Sequence, residues 1–263
     1  MSSNWLNLLK KQNAEKNKYS PKSKNNSKNS KSSKSVVITN KTSSNKIIPR
    51  TSLIKLANEK LKKQQDAAIE SSKKMKSIDD KLSNKQKEIG RYLAIDCEFV
   101  GVGPDGIQSE LARVSIVNFF GHLIYDKYVK PREKVTDWRT FVSGIRPSDM
   151  HNAIPFDKAQ SEVADLLKDK ILVGHAIHHD LEALYLTHPK SLIRDTATHT
   201  PFKQKYSKGK TPSLKKLATE ILGWNIQTGE HSSVEDAKAT MLIYKSDKKN
   251  FDDKIRTSHH HYK

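Results

Sequence analysis

Four carboxylates and one histidine in this chain have the types and spacing needed for metal-assisted hydrolysis. Asp96 and Glu98 sit in LAIDCEFVGVG, one residue apart, at the end of an apolar run. If residues 92–99 form a strand, alternation puts Asp96 and Glu98 on one face with Tyr92 and Ala94. Leu93, Ile95, Cys97 and Phe99 then share the other face. Two like charges about 7 Å apart repel unless something positive lies between them. Asp180 sits in LVGHAIHHDLEALYL, where Ile177, Leu181, Leu184 and Tyr185 make the apolar stripe of a helix. An acid bordering that stripe needs a partner, unless it is a first-turn carboxylate favoured by the helix dipole.

The remaining two residues come from GEHSSVEDAKATMLIYK. Ser232 followed by Glu235 reads as a capping box with Ser232 as the N-cap. His231 is then the residue before the cap and Asp236 the fourth residue of the helix, positions that meet in space. A histidine and an aspartate make a poor hydrophobic staple but suit a base beside a hydrolytic water. Read in isolation, the same pair is a weak surface ion pair. Together, four acids in one cavity require divalent cations. Oxygen ligands suit Mg²⁺ or Mn²⁺ rather than zinc. Two such ions about 3.5–4 Å apart form the clamp used for in-line attack on a phosphodiester. His231, ordinarily titrating near pH 6.5, is the candidate base.

These residues need elements to position them. The pattern predicts a strand over 92–99, a hairpin from 110–120 and 123–130, and a helix over 156–168. A buried strand over 171–174, a helix over 179–187 and a strand over 192–196 follow, then helices over 213–222 and 232–245. Strands first, then strands alternating with helices, give a three-layer α/β domain around a mixed sheet. No internal repeat is present.

The 263 residues carry a net charge of +19, with 35% hydrophobic residues and a mean hydropathy of −0.75. The charge is uneven. Residues 1–84 hold 20 Lys and Arg against 6 Asp and Glu, and residues 85–263 hold 28 against 23. Residues 10–46 are Lys, Ser and Asn with almost no apolar content, a composition that does not fold. Residues 52–70 have helical spacing at Leu53, Leu56, Ala57 and Leu61. A polyanion, most simply nucleic acid, is the partner this charge suits. A single cysteine excludes an internal disulfide framework and fits a reducing compartment. Neither a membrane span nor a secretory signal is legible, so a soluble intracellular protein is expected.

The acids of DCE, the aspartate of HDLEAL and the H-x4-D of HSSVEDA match, in order, the motifs of DEDD exonucleases of the histidine subclass. DCEFVGVG, LARVSIVN, VKPREKVTDWRTFVSGI, ILVGHAIHHDLEAL, KGKTPSLKKLA and GEHSSVEDAKATM resemble the RNA exonuclease 4 family, over about residues 90–247. The resemblance implies an RNase H-like fold with a mixed five-stranded sheet flanked by helices. It divides the chain into a basic extension (1–88), an exonuclease domain (89–247) and a C-terminal tail (248–263). It implies hydrolysis of single-stranded RNA from the 3′ end, releasing nucleoside 5′-monophosphates. Asp96 would bridge two Mg²⁺ or Mn²⁺ ions, Glu98 and Asp236 would complete the nucleophile-side ion, and Asp180 would serve the other. His231 would be the general base. Pre-ribosomal RNA processing in the nucleus, often the nucleolus, is the implied setting.

Two further residues are candidate nucleic-acid contacts. Phe99 either packs in the core or stacks on the terminal nucleotide. Arg139, in TDWRTFVSG, either contacts a phosphate or 2′-OH or is a surface arginine. Residues 203–216, KQKYSKGKTPSLKK, read as a basic loop that could guide a single strand. Gly101 and Gly103 lack the spacing of a phosphate loop. His175, His178 and His179 read as packing and polar groups, and Cys97 as a buried small hydrophobe. Two rival functions share these features: a DNA exonuclease with the same clamp, and an RNA-binding assembly factor with a vestigial nuclease domain.

Overall fold

The computed structural model describes residues 81–260 and, between 55 and 80, Lys55, Asn58, Glu59, Lys62, Lys63, Asp66, Ile69, Glu70, Lys73, Ser77 and Asp80. Those scattered positions are helical and exposed. The apolar positions of the helix expected over 52–70, and the low-complexity stretch 10–46, lie outside the described residues. No helix among the described residues is long and apolar enough to cross a membrane.

Seven strands form one sheet: β1 (Tyr92–Val102), β2 (Gln108–Asn118), β3 (Leu123–Lys130), β4 (Val135–Asp137), β5 (Ile154–Pro155), β6 (Ile171–Gly174) and β7 (Ile193–Asp195). Their order is β5-β3-β2-β1-β6-β7, with β4 paired to β1. The expected mixed five-stranded sheet is β3-β2-β1-β6-β7; β4 and β5 are short additions that carry no alternation to read. β1–β2 and β2–β3 are antiparallel, and β1–β6 and β6–β7 parallel. The helices are α1 (Thr140–Ser143), α2 (Phe156–Leu167), α3 (His178–Ala183), α4 (Thr200–Ser207), α5 (Leu214–Leu217), α6 (Ser233–Ser246) and α7 (Lys248–His260). A π-helical turn, Ala218–Leu222, continues α5.

Each face of the sheet buries its own core. On one side Ala94, Val117 and Val173 pack with Leu217, Met241, Ile243, Tyr244 and Phe251 from α5, α6 and α7. On the other Leu93, Ile95 and Leu172 pack with Phe156, Val163 and Leu167 of α2 and with Ile177, Leu181 and Leu184 around α3. The alternation read from LAIDCEF thus sorts β1 between two layers, each buried side chain contributing about 1.5–3 kcal/mol. β6, ILVG, is buried at every position, as a central parallel strand should be.

Three sequence expectations differ. Tyr185 leaves the apolar stripe: α3 ends at Ala183, Tyr185 turns outward at φ 52°, and it is 62% exposed. Its ring lies under Arg132, whose guanidinium donates to the Tyr185 hydroxyl. The basic stretch 203–216 is not all loop, because α4 runs to Ser207 with Phe202 buried. The segment 248–263 contains α7, anchored by the buried Phe251 and by Asp252 bonded to Arg194.

β1 creates the place for the site. Along one edge it pairs with β2 over nearly its whole length. On the other edge it meets β6 only at Tyr92–Ala94 and β4 only at Gly101–Val102. Residues 95–100 between them have no strand partner on that edge among the described residues. Opposite, the register shifts between Glu98 and Phe99, where Ala112 of β2 is the extra residue of a bulge. Gly101 is required nearby: a Cβ there would lie 2.3 Å from the carbonyl oxygen of Gly106.

Candidate active site

A cavity of about 300 Å³ opens over this gap, lined in part by Asp96, Glu98, Phe99, His175, His231 and Asp236. Asp96 and Glu98 enter from β1, on the face toward α6. Glu98 is buried, and the backbone N–H of Ser233, the first residue of α6, lies close enough to favour its charged form. The same helix delivers Asp236 one turn later, also buried. Ser232 is the N-cap as the sequence predicts, but its side chain makes no capping bond.

Asp180 arrives from the other layer. The loop before α3 is shaped by Asp195, whose Oδ1 accepts from the backbone of Ala176, at φ 59°. The buried Asp180 carboxylate comes close to the thiol and backbone N–H of Cys97, at the unpaired edge of β1, and both favour its charged form. Cys97 is buried in the core on the face opposite Asp96 and Glu98, as strand alternation predicts. Its closeness to Asp180 is not legible in the sequence.

The electrostatics are those of an uncompensated anionic cluster. Burial, then repulsion from Asp236, Asp180 and Glu98, raises the Asp96 carboxyl well above its ordinary range. Burial and Asp236 push Glu98 up to about 8, against the pull of Arg113 and the Ser233 N–H. Burial pushes Asp180 and Asp236 each to about 7. Arg113 cannot neutralise Glu98 fully, because its guanidinium makes a two-pronged bond to Asp126 at 2.8 Å. Two buried carboxylate oxygens, Glu98 Oε1 and Asp236 Oδ1, have no hydrogen-bond partner among the described residues. Such orphans call for an explanation, and an ion is one.

Oxygen donors of this charge and burial fit a hard divalent cation. No group of three or more His, Cys, Asp or Glu side chains is arranged to hold an ion as it stands, among the described residues. The fit therefore rests on donor chemistry and on the two orphaned oxygens, not on a finished cage.

His231 Nδ1 lies 3.9 Å from Asp236 Oδ2. Burial and the nearby Lys215 charge lower its pKa below 6.5, so the ring is neutral at neutral pH. Its loop is docked on α1: the His231 N–H donates to the Val142 carbonyl at 2.7 Å, and Arg146 bonds both Glu230 oxygens. Gly144, at φ 67°, lets this loop come close, for a Cβ there would lie 3.0 Å from the His231 carbonyl oxygen.

Phe99 meets the core-packing reading and also faces the cavity. It packs against the second core while lining the cavity. Arg139 also lines the cavity, but its guanidinium is spent on the β1–β2 turn, donating to Ser109 Oγ at 2.8 Å and the Gly106 carbonyl at 2.7 Å. It braces the hairpin, which a sequence pattern cannot reveal. His175 is the polar, packed group that the sequence suggests: it is held by Thr196 Oγ1 at 2.9 Å, and burial lowers its pKa. Gln227, which donates to Asp236 Oδ2 at 2.7 Å, was missed outright.

The Exonuclease family model matches residues 93–244, more than half the chain. RNA exonuclease 4 of Saccharomyces cerevisiae is 66% identical over 170 residues, covering 65% of this chain and 59% of that protein. RNA exonuclease 4 of Xenopus laevis is 55% identical over 169 residues, covering 64% of this chain and 40% of that protein. The matched stretch thus spans about two fifths to three fifths of these relatives. Among solved structures, the Saccharomyces cerevisiae Pan2 pseudoubiquitin hydrolase-RNA exonuclease module in complex with AAGGAA RNA is similar at a TM-score of 0.54. That likeness has 27% identity and covers 68% of this chain and 33% of that one. The chain belongs to the exonuclease family, in its RNA exonuclease 4 branch.

Proposed function

We propose that this protein is a divalent-metal-dependent 3′→5′ exoribonuclease that releases nucleoside 5′-monophosphates from single-stranded RNA. The observation that carries the proposal is the cluster of half-buried Asp96 with buried Glu98, Asp180 and Asp236. Arg113, bound to Asp126, offsets only part of the Glu98 charge, and two oxygens of the cluster are orphaned among the described residues. A binding module has no use for such a costly arrangement. When bound, Mg²⁺ or Mn²⁺ would supply Lewis acidity at the scissile phosphate and a nucleophilic water at neutral pH. The four carboxylates would hold the metals. His231, neutral and beside Asp236, accepts the proton of the attacking water. Phe99 and Val142 supply apolar wall for the terminal nucleotide. The RNA preference follows the relatives named RNA exonuclease 4, and pre-ribosomal RNA in the nucleolus is the setting we propose. The basic residues 1–84 would add salt-dependent affinity for the RNA.

The test uses matched RNA and DNA oligonucleotides labelled at the 5′ end, with Mg²⁺, Mn²⁺ or EDTA. Expected is a ladder shortening from the 3′ end of RNA, with 5′-monophosphates as product, silenced by EDTA and by Asp96→Asn. Equal or faster digestion of DNA makes it a DNA exonuclease. RNA binding without any nucleotide release, with either metal, leaves the assembly-factor reading standing and this one refuted.

A further inference from the structure

Gln227 sits in the irregular loop between the π-helical turn and α6, half-buried at the cavity wall. Its amide Nε2 donates to Asp236 Oδ2 at 2.7 Å, while Asp236 Oδ1 is buried without a partner among the described residues. One oxygen is thus occupied from the protein side and the other is left over. The Gln227 backbone has φ 53°, a left-handed conformation that residues other than glycine rarely adopt. Something holds it there. Lys215 of α5 donates from Nζ to the Gln227 carbonyl oxygen at 2.5 Å. On the far side of the loop Arg146 and the Val142 carbonyl hold Glu230 and His231.

We propose that Gln227 is a positioning residue that fixes the Asp236 carboxylate with Oδ1 presented to a divalent cation, and that Lys215 locks Gln227 in place. The role rests on the metal-dependent reading above. Without the amide, the Asp236 carboxylate can rotate about its last torsion and turn either oxygen, or neither, toward the ion. Partners one shell out from a metal ligand typically change affinity about 10–100-fold when removed. Lys215 acts at one further remove, so its loss should cost less.

Gln227→Gly separates positioning from folding. Glycine suits φ 53° better than glutamine does, so the variant relieves backbone strain while deleting the amide. Mn²⁺ affinity is measured on the full chain without RNA, by calorimetry and by metal-induced thermal shift. Expected for Gln227→Gly is a metal-free Tm equal to or above wild type, with Mn²⁺ binding about tenfold weaker. Lys215→Met should weaken Mn²⁺ binding by a smaller factor, and Lys215→Arg should restore it. Mn²⁺ binding to Gln227→Gly at wild-type strength overturns the proposal, as does a KM for RNA that rises with unchanged metal affinity. The latter would make Gln227 a substrate contact. A wild type that binds no Mn²⁺ sinks the metal-dependent reading, and the positioning role falls with it. Gln227→Met, which keeps the side-chain length, should match Gln227→Gly in metal affinity; if it binds Mn²⁺ as wild type does, the amide is not the cause.

Discussion

Two acidic sites in this domain, a single aspartate and a group of four carboxylates, obey opposite rules. At the junction of β7, α6 and α7, Asp252 accepts from Arg194 at 2.8 Å, from Lys248 at 2.6 Å and from the Tyr244 hydroxyl at 3.2 Å. Burial works to raise its pKa, but the bonds from Lys248 and Arg194 outweigh burial and hold it below the ordinary range. Over the gap in β1, Asp96, Glu98, Asp180 and Asp236 are pushed the other way by burial, and Asp96 and Glu98 by the charges of Asp236 and Asp180 as well. The chain has 48 lysines and arginines, and among the described residues none lines the cavity over the second cluster except Arg139, whose bonds go to the β1–β2 turn. Asp252 ties α7 to the domain. The cluster at β1 stores unfavourable energy that a cation can release, so its function is read from what it lacks.

The largest effect should come from neutralising an acid in the uncompensated cluster. Asp236→Asn keeps the shape, removes one repelling charge and removes a donor oxygen. Metal-dependent RNA hydrolysis should fall by about a hundredfold or more, while the metal-free protein becomes more stable by on the order of 2 kcal/mol at pH 8. Steady-state kinetics and urea unfolding in EDTA read the two quantities on one sample. A metal-free stability that drops instead would mean that the cluster is compensated after all.

The two sites also predict opposite pH dependences. Glu98 at about 8 and Asp180 and Asp236 at about 7 hold protons in the fold that the unfolded chain has already released. The folded state therefore binds more protons than the unfolded state between about pH 4 and pH 8, and metal-free stability falls as pH rises through that window. Asp252, depressed in the fold, contributes stability at higher pH that is lost only as acid titrates it. Metal binding should reverse the first trend, because ligands must be deprotonated. The Tm gain on adding Mg²⁺ should thus be larger at pH 8.5 than at pH 6. An equal gain at both values would break the assignment of the metal to these carboxyls.

What was legible in the sequence divides along similar lines. Asp96, Glu98 and Asp236 were readable because a strand repeats every two residues and a helix start fixes its own register. Asp180 was readable from the apolar stripe beside it. Gln227 and Lys215 were not, since an irregular loop has no period and the bond from Lys215 to Gln227 depends on how that loop lies across α5. Arg139 shows another limit: the sequence offers a phosphate or 2′-OH contact or a surface arginine, and does not reveal its bonds to the Gly106 carbonyl and Ser109 Oγ. The helix α7 was missed because its polar sequence offers one strong apolar anchor, Phe251. Its other attachments are charges whose partners come from β7 and from α7 itself.

The compensated site can be broken in graded steps, and the gradient is the sharpest check on its role. Arg194 is the buried partner, 7% exposed at the side chain, and also donates to the Ser191 and Ile193 carbonyls. Arg194→Met should cost about 2–4 kcal/mol, because it leaves Asp252 and two carbonyls short of a donor. Lys248 bonds the same carboxylate, but its side chain is 36% exposed and it sits over the Tyr92 ring at 4.9 Å. Lys248→Met keeps the methylene packing and should cost about 0.5 kcal/mol, shrinking further in high salt. Neither change should alter Mn²⁺ affinity, since neither residue touches the cavity. Urea midpoints at low and high salt, beside Mn²⁺ titrations, test both statements. If Lys248→Met costs as much as Arg194→Met, the pair is acting as one desolvated unit, and the contrast between a buried and an exposed partner does not hold at this junction.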